Sequence, residues 1–151
     1  MHRLYENEEI TVFWNAKHCR RAKICVNGCP EVFDIQRRPW IVLENDENEK
    51  IVDTVRKCPT GALKVIYNEG IRVEYDEAGH RSVAYDGEKQ VGECDYMVDE
   101  AGWDIIHTET DPAYRGKGIA KRLVYVVLEQ AEKQKVKIIP SCSYAKKVLD
   151  E

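Results

Sequence analysis

The segment EITVFW, residues 9–14, is rich in β-branched and aromatic residues and predicts a strand. PWIVLE, residues 39–44, predicts a second, shorter one, with a cysteine-bearing loop between the two and the polar run NDENE after them. A helix is expected near Lys50 to Lys57; Pro59 and Gly61 break it, and the β-branched run in CPTGALKVIY predicts a closing strand. The turn-forming YNEG, residues 67–70, marks a boundary. Beyond it the rhythm changes. IRVEYD, HRSVAYD, KQVGECDYMV and GWDIIHTETD read as strands separated by Glu77 to Gly79, Asp86-Gly87 and Gly102, which predicts an antiparallel meander. From Gly118 to Lys135, the residues Ile119, Leu123, Val126, Val127 and Ala131 recur at helical spacing. VKIIP then predicts a short strand, and a final helix starts at about Ser143. The expectation is an α+β protein of two small domains, residues 1–68 and 69–151.

Composition narrows the class. With 43% apolar and 33% charged residues in 151, the chain is expected to fold rather than remain disordered. No run approaches the roughly 20 apolar residues of a membrane-spanning helix. The opening MHRLYENEEI lacks the apolar centre of a secretory signal, so a cytoplasmic location and no membrane partner are expected. The formal charge of −4 is not arranged as a basic stripe in either half, which argues against a nucleic-acid partner.

Six cysteines remain: Cys19, Cys25, Cys29, Cys58, Cys94 and Cys142. In a reducing compartment they point to metal binding or reactivity rather than disulfides. Bacterial iron–sulfur sites use C-x2-C-x2-C-x3-C-P and a distant Cys-Pro, because thiolates on one turning loop reach several irons of a single cluster. On that template Cys19 takes the first position, Ala22 the second, Cys25 the third and Cys29-Pro30 the fourth, with Cys58-Pro59 as the distant pair. The second ligand is missing. Cys19, Cys25 and Cys58 suit a 3Fe-4S cluster, or a 4Fe-4S cluster whose remaining iron takes water, Cys29 or another ligand. Zinc, which favours C-x2-C knuckles absent here, and packed core thiols are the alternatives. Arg20, Arg21, Lys23, Arg37, Arg38, Arg56 and Lys57 lie near these positions in sequence, where positive charge would stabilise an anionic cluster.

The pattern C-x5-C-x3-C-P-E-V-F-D, followed by R-R-P-W-I and C-P-T-G-A-L, resembles the divergent single-cluster ferredoxin-type domain of bacteria over about residues 8–66. The resemblance implies one iron–sulfur cluster. Several members of that family carry Leu at the position of Cys29 and His at that of Arg21, so Cys29 is an addition.

In the second half, HTETDPAYRGKGIAKRL joins an apolar strand to an amphipathic helix. Glycines let backbone approach a ligand, and a helix start offers N–H groups and a positive dipole end to phosphate. The loop is neither a Walker loop nor a complete G-x-G-x-x-G. It fits [QR]-x-x-G-x-[GA], with Arg115, Gly118 and Ala120 at the defining positions. Together with KVKIIPSCSYAKKVL it resembles the small single-domain GNAT-like N-acetyltransferases over nearly all of residues 71–149. That likeness implies a site for acetyl-CoA or CoA. Arg115, Gly116, Lys117, Gly118, Ile119 and Ala120 would sit on the pyrophosphate, and pantetheine would run between the strand ending near Thr110 and the one at Lys137 to Ile139.

Acetyl transfer to an amine needs a base and oxyanion donors, or a nucleophile that is acylated first. Cys142, at a helix start that would lower its pKa, is the candidate acyl acceptor. Tyr144 is the candidate proton donor to the departing CoA thiolate, and His107 or Glu109 the candidate base. Cys94 is assigned to the core. The related proteins continue with a segment containing His-Pro, whereas this sequence ends at Glu151, so part of the acceptor side is expected to be absent from it. The expected function is acetyl transfer to an unknown amine, modulated by the cluster. The alternative is an electron-transfer or iron–sulfur-sensing protein, working with a redox partner, whose second domain holds CoA without catalysis.

Overall fold

Strand β2 (Ile10–Asn15) is buried at four consecutive residues, Ile10 to Phe13, so both of its faces are covered. It is the middle strand of an antiparallel sheet, between β1 (His2–Glu6) and β3 (Leu63–Tyr67). Thr11, the polar member of the buried run, donates to Asn68 Oδ1 at 2.5 Å, and Asn68 Nδ2 donates to the Asn7 carbonyl at 2.9 Å. Pairing of this kind removes most of the cost of burying a hydroxyl. The computed structural model describes residues 2–19 and 23–150. Two compact units make up the chain, Met1–Glu69 and Gly70–Glu151.

In the first unit, α1 (Ile24–Gly28) and α2 (Asn48–Arg56) accompany the sheet. Ile10, Val12, Val32, Phe33, Ile41, Leu43, Ile51, Val55 and Leu63 belong to one core cluster. Trp40 packs edge-on to Trp14, with ring centroids 4.8 Å apart. The segment expected as a strand at 39–44 buries Ile41 and Leu43 in this core but forms only the single bridge Phe33–Ile41 before a 3-10 turn at Leu43–Asn45. Arg37 accounts for part of the difference: its guanidinium donates to the carbonyls of Glu31, Val32 and Pro39. β1 was not expected either, because only Leu4 of HRLYE is aliphatic; its register is supplied by β2.

The second unit is a five-stranded sheet in the order β4 (Ile71–Asp76), β5 (Arg81–Asp86), β6 (Lys89–Asp99), β7 (Gly102–Thr110), β8 (Ile138–Ile139). All neighbours are antiparallel except β7 and β8, which run parallel. α3 (Ile119–Lys133) buries Ile119, Leu123, Val124, Val127, Leu128 and Ala131, each large aliphatic side chain contributing about 1.5–3 kcal/mol. Polar contacts fix the helix to the sheet: Ser82 Oγ donates to the Leu123 carbonyl at 2.8 Å, and Arg122 to the Ile71 carbonyl at 3.0 Å. α4 (Ser143–Asp150) closes the chain. Both units mix helices with antiparallel strands, so the α+β class read from the hydrophobic pattern holds.

Candidate functional site

The cysteine loop of the first unit is pinned at its start. Asn15 accepts the Lys17 amide at 3.1 Å, capping a 3-10 turn at Ala16–His18, and its own amide donates to the Ala62 carbonyl at 2.8 Å. That bond ties the approach to Cys19 to the segment that follows Cys58. Cys25 lies in the first turn of α1, and Cys58 just beyond α2, its amide donating to Val55 at 3.0 Å. Pro59 prevents the helix from continuing, and Gly61, at φ +73, turns the chain back. Burial raises the Cys58 pKa, but the amides of Leu63, Thr60 and Ala62 and the Thr60 hydroxyl more than offset it, so the thiol falls below its usual range.

Cys25 moves the other way. Burial raises it, the Val26 amide partly compensates, and the charges of Cys19 and Cys58 raise it further. Cys25 and the two thiols it senses repel when ionised, and a bound cationic centre relieves that repulsion. A set of thiols without carboxylates matches the soft-ligand chemistry of iron–sulfur centres rather than that of Ca²⁺ or Mg²⁺. Among the described residues, no three His, Cys, Asp or Glu side chains are gathered closely enough to hold a single metal ion. Ala22, at the template's missing ligand, and Arg20 and Arg21 lie outside the described residues.

Cys29 has a different partner. It is fully buried in the core cluster, and its Sγ donates to Asp46 Oδ2 at 3.3 Å. Asp46 in turn pairs with Lys50 at 3.0 Å. Burial, then the bond to Asp46, pushes the Cys29 thiol up to about 11. Arg37 and Arg38, near the cysteines in sequence, donate to backbone carbonyls of residues 31–40.

In the second unit the glycine loop is built on anchored backbone. Asp111 accepts the Ala113 amide at 2.9 Å and caps a 3-10 turn at Pro112–Tyr114, while its own amide donates to the Val91 carbonyl at 2.7 Å. Tyr114 donates to Asp86 at 2.6 Å. Arg115 is extended, Gly116 and Gly118 have φ of +82 and +77, and α3 follows directly. The amides of Ile119 and Ala120 are therefore first-turn donors, and that turn contains no acidic residue. Lys117 precedes it. At the end of β7, the Thr110 hydroxyl oxygen is buried without a hydrogen-bond partner.

β8 pairs Ile138 with Trp103 and Ile139 with Asp104; the Trp103 amide donates to the Lys137 carbonyl at 2.9 Å, the Ser141 amide to Asp104 Oδ1 at 3.3 Å and the Cys142 amide to the Ile105 carbonyl at 2.8 Å before the chain enters α4. β7 runs on to Thr110 without β8. Burial raises Cys142, but the Ala145 amide, the Thr108 hydroxyl and the Tyr144 amide outweigh it and lower the thiol below its usual range. Cys142 Sγ lies 3.6 Å from Thr108 Oγ1, which is also 3.6 Å from Cys94 Sγ. Successive strand residues face opposite sides of a sheet. His107, paired with Glu109 at 3.2 Å, therefore stands on the side away from Thr108 and Cys142, opposite Asp95 of β6. Sequence reasoning missed Thr108 and Asp95. Cross-strand register was the signal that would have found them, since Cys94 pairs with Thr108 and Asp95 with His107.

Comparison with known proteins follows the same division. Residues 5–68 match a family described as a divergent 4Fe-4S mono-cluster. Residues 81–151 match the GCN5-related N-acetyl-transferase family. The chain is 35% identical over 63 residues, 42% of its own length and 83% of the relative's, to a protein named "Uncharacterized protein YjdI" in Escherichia coli strain K12. The same identity and coverage hold for the protein of that name in Escherichia coli O157:H7.

Proposed function

We propose, from the match of residues 5–68 to the divergent 4Fe-4S mono-cluster family and of residues 81–151 to the GCN5-related N-acetyl-transferase family, that the chain is an iron–sulfur protein that transfers an acetyl group from acetyl-CoA to an amine. Cys19, Cys25 and Cys58 hold the cluster, and Cys29 remains a core thiol bonded to Asp46. Bound there, the cluster would supply one-electron chemistry and respond to oxidants. The joining of both units in one chain is the ground for proposing that cluster state modulates the transfer.

The amides from Arg115 to Ala120 receive the pyrophosphate, and Thr110 offers its unpartnered hydroxyl oxygen beside the same loop. Pantetheine lies along the part of β7 that β8 leaves unpaired. The Cys142 sulfur attacks the thioester carbonyl, forming a new thioester and releasing the CoA thiolate, to which Tyr144 gives a proton. Attack by the acceptor amine then frees the Cys142 thiolate, and the amine proton passes to solvent or to the Tyr144 phenolate left by the first step, because His107, the base expected from the sequence, stands on the other face of β7. The observation that carries this reading is the Cys142 sulfur at the head of α4, among amides and a hydroxyl that favour its ionised form.

One observation favours a second reading: His107 and Glu109 occupy the face of β7 away from Cys142. CoA binding without turnover fits that separation, the first unit then acting as an electron carrier or iron–sulfur sensor. Intact-mass measurement after exposure to acetyl-CoA separates the two. A gain of one acetyl group, lost in Cys142→Ala, is the expected result; bound, unreacted acetyl-CoA with no adduct selects the second reading.

A further inference from the structure

Cys94 is fully buried on β6, and its cross-strand partner on β7 is Thr108. From the other side Cys142 reaches the same hydroxyl, its position fixed by the bond from its amide to the Ile105 carbonyl. The hydrogen bonds run in one direction: Cys142 Sγ–H donates to Thr108 Oγ1 at 3.6 Å, and Thr108 Oγ1–H donates to Cys94 Sγ at 3.6 Å. A hydroxyl carries one hydrogen. Once Cys142 is ionised it has none to donate, and its thiolate is the stronger acceptor of the two sulfurs.

We propose that Thr108 is a positioning residue whose single hydroxyl hydrogen is shared between Cys94 and Cys142, turning to Cys142 when that sulfur is a thiolate and returning to Cys94 when it is protonated or acylated. This rests on the acyl-transfer reading of Cys142 and adds to it a donor that acts in one state of the cycle only. Rotation about Cβ–Oγ moves no heavy atom. Cys94 serves as the resting acceptor and does not compete for the role of nucleophile, because burial pushes it up to about 12 and it stays a thiol. The groups facing the Cys142 sulfur are Cys94 from β6, Thr108 from β7 and the first amides of α4; His107 and Glu109 face away.

The test is the pH dependence of Cys142 alkylation by iodoacetamide, followed by peptide mass in the full-length, cluster-loaded protein. Thr108→Val, which keeps shape and loses the hydroxyl, moves the midpoint upward and slows alkylation at neutral pH about tenfold. Thr108→Ser retains the native profile. Cys94→Ala removes the competing acceptor and moves the midpoint downward. A profile for Thr108→Val or for Cys94→Ala that superposes on the native one overturns the proposal. The acetyl-adduct measurement fails independently. A shifted alkylation profile without an adduct removes the acyl-transfer reading and leaves the shared hydroxyl standing, and an adduct with an unshifted profile does the reverse.

Discussion

Asp46 sets Cys29 apart from the other cysteines of the first unit. It accepts the thiol hydrogen at 3.3 Å while Lys50 holds its carboxylate in place, so ionising Cys29 would set a second negative charge against the first. Cys58 has the opposite surroundings, with three amides turned toward its sulfur by the break at Pro59 and Gly61. Cys58→Ala is therefore expected to lose the cluster, and Cys29→Ala to keep native iron and sulfide content at a stability cost of about 1 kcal/mol, the scale of removing one small buried group. Iron and sulfide analysis with denaturant unfolding checks both; loss of iron in Cys29→Ala overturns the three-thiol assignment. Sequence spacing brought all four cysteines together because a template counts positions along the chain. It could not distinguish Cys29, because its partner lies 17 residues away and only the folded core brings Asp46 to it.

The end of α3 shows how an element can be legible while its boundary chemistry is not. Apolar spacing marked the helix from Gly118 to Lys135, and it spans Ile119–Lys133. Its end is a Schellman arrangement: the Val136 amide donates to Ala131 at 2.8 Å and the Lys135 amide to Glu132 at 3.1 Å. The residue required to be left-handed is Lys135, at φ +57, where glycine is usual. Lys135→Gly is expected to stabilise the protein by about 0.5 kcal/mol, the relief of left-handed strain exceeding glycine's added chain entropy. A lowered denaturation midpoint, read by helical circular dichroism, would show that the Lys135 side chain contributes more than its strain costs. Legibility failed where hydrophobic pattern and hydrogen-bond ladder part company. Residues 39–44 alternate like a strand because Ile41 and Leu43 enter the core, yet Arg37 takes up neighbouring carbonyls. β1 lacks that pattern and pairs along its whole length because β2 offers an edge.

At the scale of the whole molecule, each unit has its own apolar interior, and only the first places its candidate ligands against that interior. Cys25 and Cys58 are partly buried on the flank of the cluster that contains Val32, Phe33 and Ile51, whereas the second unit rests on α3 packed over β4 to β7. Binding free energy gained by a metal centre is folding free energy for the segments that supply its ligands. Removing iron with a chelator should therefore loosen the chain from Cys25 to Cys29 and from Cys58 to Leu63, with local amides exchanging about tenfold faster. Amides of β4 to β7 should keep their protection, because no candidate ligand lies in that sheet. Amide hydrogen exchange before and after chelation reads both units in one sample. Equal loss of protection in both would mean that the cluster supports the chain as a single cooperative body, and loss in neither would mean that Cys19, Cys25 and Cys58 fold without needing the metal. Faster exchange confined to the first unit fits a cofactor that stabilises its own segment, and any influence of the cluster on acetyl transfer would then have to pass through a change in that segment alone.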